Sequence, residues 1–482
     1  MTLRDVVDMG NMFFRVYILC YAVFMFFAAL AGALQLEERD RAERFHSKLG
    51  LNNAMNYLPI SILVPAHNEE VTIVDSIKSL RRQDYPNYEI VIVDDGSTDD
   101  TTERLIEEFD LQRVDRPIRR QIPCKNAGGI WESRDKGVRI TLIYKENGGK
   151  ADALNMGINA SRFPYFVCID ADSVLQRDAL QKMIAPIMED DTVIGCGGIV
   201  QLANTAVIED GEVKKIFYPR KFLVIMQLLE YCRTFLGARL LLNLFNGNLI
   251  ISGACGLYKK DIVVKAGGYD SNTIGEDMEL VVRLHAYCRS NGIPYKMVYA
   301  PEVVCWSQCP ERLRDLRSQR IRWQRGLLQS LEKHRHILFN IDYGMVGTLS
   351  IGYYLLMEAF APFLEALGLV FILLAWHLEM LYASFMVKYF LLFTAFSALI
   401  TLTTFFSRMY AQPIHMSVWQ VLMTVLMSFV ECFGFRQLLS WWRVKAFIGY
   451  RSNRHVWGHI RRSQHQRLAK TADRDGQGGM QG

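Results

Sequence analysis

Three pairs of acidic residues stand where an apolar run meets a turn, a placement that suits chemistry on phosphates and protons. Asp170 and Asp172 follow Phe166-Val-Cys-Ile, and carboxylates at i and i+2 project together there only because the strand stops between them. Such a pair suits Mg2+ or Mn2+, hard cations that keep open positions for phosphate oxygens. Asp94 and Asp95 close Val91-Ile-Val and lead into Gly96-Ser-Thr-Asp-Asp. Ser97 or Thr98 capping a following helix explains a hydroxyl, but not the acidic pair before the turn. Glu276 and Asp277 follow Gly267-Gly-Tyr-Asp and open an apolar helical stretch of Met278, Leu280, Val281 and Leu284. Acids at a helix start complement its dipole. As chemistry, a carboxylate there serves as a general base.

Two further constellations carry cations and stacking faces. Lys145-Glu-Asn-Gly-Gly-Lys150 sets a glycine turn before a lysine and a helix start, so backbone approaches a ligand closely and Lys150 pairs with phosphate. It is not a Walker loop, which needs four residues between its glycines, and ATP-driven phosphoryl transfer loses ground. Gln319, Arg322 and Trp323 fall at i, i+3 and i+4, so one helix face presents an amide, a guanidinium and an indole. A core Trp beside a salt-bridged Arg is the plain alternative for that face.

The elements that position these residues read as α/β. Residues 60–64 and 88–94 are short apolar runs, and Glu70 to Arg81 between them has helical spacing, with Val71, Ile73, Ile77 and Leu80 on one side. Further strand-like runs occur at 139–144 and 165–170. Continuous apolar strands alternating with helices predict a parallel sheet covered on both faces. Ligands of such sheets bind at the carboxyl ends of the strands, where the acidic pairs fall.

Composition frames the rest. Half the residues are hydrophobic and 22% are charged, which excludes a disordered or low-complexity chain. A net charge of +5 is too small to argue for nucleic acid, and none is expected as a partner. The ten cysteines form no CxxC pair, and Cys305 and Cys309 have no His/Cys partners near them, so reduced thiols are expected rather than zinc.

From Met12 to Leu34 the only charge is Arg15, long enough for a transmembrane helix. Ala29-Leu-Ala resembles a signal-peptidase site, but the apolar run is too long and Asp5 and Asp8 spoil a basic start, so an uncleaved anchor is expected. Further apolar blocks lie near 347–376, 381–407 and 416–438, and residues 441–470 hold eight Lys/Arg and no acids. That bias puts the tail in the cytosol. The expected division is an anchor and basic linker at 1–49, a catalytic domain at 50–340, membrane helices at 341–440 and a basic tail at 441–482. Three blocks conflict with an even number of crossings between two cytosolic parts. Glu358, Pro362 and Glu365 are costly in lipid unless they face a polar interior, and one block lying along the interface or folding back would restore the count.

Pro65-x-His-Asn-Glu-Glu, Asp-Asp-Gly-Ser-Thr-Asp, Asn-Gly-Gly-Lys-Ala-x-Ala-x-Asn, Asp-x-Asp, Glu-Asp and Gln-x-x-Arg-Trp occur in that order over about residues 60–326. The set resembles the membrane-embedded, processive family-2 glycosyltransferases, the poly-N-acetylglucosamine, hyaluronan, chitin and cellulose synthases. In compactness and tail it looks most like the bacterial poly-β-1,6-N-acetylglucosamine synthase type.

The resemblance implies a cytosolic GT-A, Rossmann-like nucleotide-sugar-binding domain between transmembrane and interfacial helices, in a multi-pass protein of the cell membrane. It implies donor contacts from Pro65, His67, Glu69, Asp94, Asp95, Lys150, Asp170, Gln319 and Arg322, with Asp94 and Asp95 on the uridine half. Asp170 and Asp172 would coordinate Mg2+ or Mn2+, and Asp277, with Glu276 beside it, would be the base. Trp323 and Ser252-Gly253-Ala254 would meet the acceptor. Trp457 and Arg461 resemble a gating loop, although His459-Ile460 intrudes before the arginine. Phe217, Phe222, Phe235, Arg220, Arg233 and Arg239 suggest an interfacial helix pair in 215–245. The implied activity is inverting, processive polymerisation of a β-linked polysaccharide from a UDP-sugar, UDP-N-acetylglucosamine foremost, coupled to export. Partners would be the UDP-sugar, the growing polysaccharide, the lipid bilayer and accessory export or modification proteins. Single transfer to a lipid acceptor is the alternative, and a binding or transport protein with a decayed catalytic domain is a distant third.

Overall fold

The computed structural model describes residues 3–48, 57–134, 137–209, 212–380, 383–411, 414, 416–448 and 450. The strands are β1 (Ile60–Ala66), β2 (Tyr88–Asp94), β3 (Leu111–Arg113), β4 (Ala127–Ser133), β5 (Arg139–Lys145), β6 (Tyr165–Ile169), β7 (Val174–Leu175), β8 (Val193–Leu202), β9 (Ala206–Glu209), β10 (Glu212–Ile216), β11 (Cys255–Lys259) and β12 (Lys296–Ser307). Ten of them form one sheet, ordered β3-β4-β5-β2-β1-β6-β11-β8-β12-β7, and β9 pairs with β10 apart from it.

The four strands expected from sequence, β5, β2, β1 and β6, are neighbours and parallel. The sheet as a whole is mixed, however. β11 runs antiparallel to β6 and pairs Cys255 with Ile169, which carries Ser252–Ala254 to the end of the sheet where Asp170 stands. Alternation explains the two cores. Ile60, Ile62, Val64, Ile90 and Ile92 pack into one cluster, while Leu63, Val91 and Val93 pack into another on the opposite face.

The helices of this domain are α2 (Ile73–Leu80), α3 (Thr101–Glu108), α4 (Lys150–Ala160), α5 (Ala179–Glu189), α6 (Phe222–Arg233), α7 (Arg239–Asn243), α8 (Lys260–Lys265), α9 (Glu276–Ser290) and α10 (Leu313–Lys333), and α1 (Leu3–Lys48) precedes them. α2 starts three residues later than its spacing suggests, because Glu69 and Thr72 close a turn first, with Thr72 Oγ1 donating to Glu69 Oε2 at 2.9 Å. The 215–245 stretch, expected to form a helix pair at the membrane interface, does form two helices. α6 and α7 join through a π-helical turn, Thr234–Ala238, and are mostly buried between the sheet and the apolar helices.

Beyond α10 lie α11 (Ile351–Tyr353), α12 (Ala361–His377), α13 (Ala383–Ala411), α14 (Val418–Val430) and α15 (Arg436–Ile448). Among the described residues, Arg4–Glu38, Phe390–Met409 and Val418–Ile448 are long and apolar enough to cross a membrane; Val346–Ala359 and Ala361–His377 qualify only together and are bent by 52°. The stretch from α11 to α12 runs antiparallel to α1, with Phe24 on Tyr353 at 4.5 Å and Phe14 on Phe371 at 5.6 Å between ring centroids. The stretch 418–448 is broken at Phe433 and Gly434, whose backbone is non-helical. α14 packs on α6 and α13, and α15 turns to α12 and α10, where Tyr450 reaches Glu332. Both arms therefore meet the catalytic domain.

Candidate active site

The first two turns of the sheet interlock. Asn68, held at φ 56°, donates its N–H to Ser97 Oγ at 2.9 Å and accepts Thr98 N–H on Oδ1 at 2.8 Å. Glu69 N–H reaches Thr101 Oγ1 at 2.9 Å and Glu70 N–H reaches Asp99 Oδ2 at 3.2 Å. Ser97 and Thr98 thus serve the neighbouring turn rather than capping α3.

The acidic pair divides its work. Asp94 is fully buried beneath its own turn, accepting Ser97 N–H at 2.8 Å and the Thr102 hydroxyl, and it does not line the cavity that the other site residues share. Asp95 turns toward the glycine loop, accepting Gly148 N–H at 3.0 Å and Gly149 N–H at 2.6 Å. Its carbonyl accepts from His67 Nδ1 at 3.0 Å and Asn147 Nδ2 at 2.9 Å. Behind it the ammonium of Lys145, entirely buried, sits 2.5 Å from Asp95 and 2.7 Å from Asp152. Asp94, expected to meet the donor, is thus bonded to its own loop.

Gly149, at φ 88°, ends that loop and starts α4 at Lys150. Lys150 Nζ stands 2.5 Å from Asp170 Oδ1 and 3.4 Å from Glu276 Oε1, and donates to Gly253 O at 3.3 Å. Burial alone would lower its pKa, but Asp170 and Glu276 outweigh burial and raise it. The Asp172 carboxyl is pushed up to about 7 by burial and then by Asp170, while Lys150 and Arg322 oppose the shift. Burial also raises Glu276, with Lys150 opposing and Asp277 adding to the rise. Asp277 Oδ2 accepts Gly253 N–H at 2.9 Å and Oδ1 accepts Met278 N–H at 2.8 Å, which fixes the carboxylate against the Ser252–Ala254 segment.

α10 supplies the opposite wall. Gln319 is 8% exposed and its buried Oε1 has no protein partner. Trp323 is 44% exposed, with Arg320 4.3 Å over its ring and Arg320 paired to Glu230 at 2.7 Å. Arg320 therefore holds the indole by one face.

These groups line a single cavity of about 1380 Å³. It gathers Pro65, His67, Glu69, Asp95, Lys150, Asp170, Asp172, Ser252, Gly253, Ala254, Glu276, Asp277, Gln319, Arg322 and Trp323 from the sequence-predicted set, omitting Asp94. Trp457 and Arg461 lie outside the described residues. The cavity continues to Tyr17 and Tyr21 of α1, Glu365 of α12 and Arg436 of α15.

Lys145 and Asp152 escaped sequence reasoning. The available signal was a lone charge closing an apolar strand, the position that Asp94 also holds. For a cation, Asp170 and Asp172 fit as a donor pair: both are oxygen ligands on the cavity wall, and the like charge that raises Asp172 is what a cation would relieve. Among the described residues no three His, Cys, Asp or Glu are grouped to hold a metal ion.

A strand-end acidic pair, a glycine loop with its lysine, a helix-start acid and a Gln-x-x-Arg-Trp face on a GT-A sheet define a nucleotide-sugar transferase, and the chain belongs to glycosyl transferase family group 2, whose model matches residues 165–431. The glycosyl transferase family 2 model matches residues 61–264.

The chain is 28% identical over 310 residues to the poly-β-1,6-N-acetyl-D-glucosamine synthase of Staphylococcus aureus strain COL, covering 64% of each chain. It is 28% identical over 302 residues to that of Staphylococcus epidermidis, covering 62% of this chain and 60% of the relative. The match thus spans about three fifths of these relatives. Among solved structures, the Pyrobaculum calidifontis mannosyltransferase PcManGT, in complex with GDP-Man and Mn2+, is 16% identical at a TM-score of 0.46, covering 91% of this chain and all of that one.

Proposed function

We propose that this chain is an inverting, processive membrane glycosyltransferase that builds a β-linked polysaccharide from a UDP-sugar, foremost UDP-N-acetylglucosamine, and passes the product through its own helices. The observation that carries this reading is the continuity of one cavity from Asp170, Asp277 and Trp323 to Tyr17, Tyr21 and Glu365 among the apolar helices. A transferase acting once on a small acceptor has no need of that extension.

In this reading Asp277 takes the proton of the acceptor hydroxyl as it attacks the anomeric carbon, held in aim by Gly253 N–H. Lys150 and Arg322 balance negative charge on the departing diphosphate. Asp170 and Asp172 would hold a divalent cation, whose chemistry is to offset that same charge. One base suffices, and no second acid must protonate the leaving group. Trp323 offers its exposed face to the acceptor sugar.

The contacts also support a membrane path. In this reading α1, the bent 346–377 pair and α13 cross, and 418–448, although long and apolar enough to cross as well, enters and returns at its Phe433–Gly434 break. Two crossings then separate the catalytic domain from residue 450, so both lie in the cytosol and the even count is restored. Incubating the purified protein with each UDP-sugar in turn, and measuring UDP release with product length, tests the function. Release with one sugar and long products is expected. Products one sugar long on a lipid would favour single transfer.

A further inference from the structure

Four carboxylates, those of Asp170, Asp172, Glu276 and Asp277, line one cavity, and Lys150 stands against two of them, Asp170 and Glu276. Its ammonium occupies the Oδ1 side of Asp170 at 2.5 Å. A divalent cation binds a carboxylate oxygen at about 2.1 Å. Both cannot serve one oxygen without bringing two like charges within a few ångströms, a repulsion only partly screened where Lys150 is 20% and Asp170 31% exposed. Lys150 also has somewhere to go, since Glu276 Oε1 lies at 3.4 Å and Gly253 O at 3.3 Å.

We propose that Lys150 is a built-in counter-ion that holds the cation's place on Asp170 in the empty enzyme and yields it when the nucleotide diphosphate arrives. The inference rests on reading Asp170 and Asp172 as the cation pair. With no diphosphate present, an incoming cation must displace the ammonium and drive it toward Glu276. With diphosphate present, phosphate oxygens accept the ammonium and the vacated carboxylate accepts the cation. Cation and donor therefore load together, and a lone cation binds weakly. The same exchange delivers Lys150 to the leaving group only when there is one to stabilise.

The test titrates Mn2+ into the detergent-purified full-length protein, reading free Mn2+ by electron paramagnetic resonance with and without UDP. The wild type should bind Mn2+ weakly alone and at least ~10-fold more tightly with UDP. Lys150→Met should bind Mn2+ at least ~10-fold more tightly than wild type without UDP, and gain little from it. Lys150→Gln, run beside it, is read in the same way should the methionine variant aggregate. Lys150→Arg keeps the charge and should behave as wild type. Unchanged or weaker Mn2+ binding by a folded, charge-free variant without UDP overturns the proposal, as does tighter binding by Lys150→Arg. An Asp170→Asn, Asp172→Asn variant should lose Mn2+ binding in both conditions. Retention there sinks the cation pair itself, an outcome separate from the behaviour of Lys150.

Discussion

Gly275 and Gly326 touch backbone to backbone: a Cβ on Gly275 would fall 2.8 Å from the Gly326 Cα. The contact seats the start of α9 on the middle of α10, so Asp277, two residues on, is registered against Gln319, Arg322 and Trp323. Gly326→Ala should force the helices apart and lower turnover, up to ~10²-fold for a shift near 1 Å. UDP binding should weaken less than turnover falls, since Arg322 and Gln319 ride on α10 whereas Asp95 and the glycine loop belong to other elements. Steady-state kinetics beside UDP calorimetry checks it, and unchanged turnover would remove the registering role.

Asp277→Asn keeps shape and the capacity to accept from Gly253 N–H but loses basicity. Transfer should drop at least ~10²-fold with donor affinity intact. If affinity for the UDP-sugar falls while turnover holds, Asp277 is a structural residue.

Lys145→Met leaves Asp95 and Asp152 buried without their shared cation. Breaking a buried pair from one side costs about 3–5 kcal/mol, so the melting temperature in detergent should fall clearly. Surviving protein should show a raised KM for donor, because Asp95 no longer holds Gly148 and Gly149. A variant that melts as wild type would contradict the role given to this lysine.

His285 is wholly buried, donating from Nε2 to Asn248 O at 2.9 Å and accepting the Tyr295 hydroxyl at Nδ1, 2.8 Å away. Burial lowers its pKa to about 4, against an opposing pull from the Asn248 carbonyl. Between roughly pH 6.5 and 4 the unfolded chain takes up a proton that the folded one refuses, so stability falls with acidification across that window. The loss approaches roughly 3 kcal/mol. Unfolding at pH 7 and pH 4.5 should show a smaller acid penalty for His285→Gln than for wild type, and an equal penalty would refute the assignment.

In a background freed of native cysteines, Ser417→Cys and Tyr450→Cys should react with an impermeant maleimide from the same side of sealed vesicles. Glu379→Cys should react from the other. Labelling of Ser417→Cys and Tyr450→Cys from opposite sides would mean that 418–448 crosses.

Residues at strand ends and at helical spacing are legible in the sequence, because a turn closing an apolar run exposes the side chains just beyond it. Asp170, Asp172, Asp277 and Trp323 all reach the cavity for that reason. Asp94 and Asp95 look like a unit in sequence, yet Asp94 is the last residue of β2 and Asp95 opens the turn, and only Asp95 reaches the glycine loop. Lys145 is illegible because its partner Asp95 lies 50 positions earlier in the chain, and a lysine is seldom buried. Hydropathy gives the length of an apolar block but not its path, so neither the 52° bend nor the break at Gly434 is visible there.

Arg443, on α15, donates to Gln324 Oε1 at 2.7 Å and to the Glu358 backbone carbonyl. Gln324 is the residue directly after Trp323. If α15 tilts, Trp323 keeps its place only at the loss of a charge-assisted bond worth about 1.5–3 kcal/mol. In the reading proposed above, a tilt of α15 is thereby felt one residue from the indole that would meet the acceptor sugar.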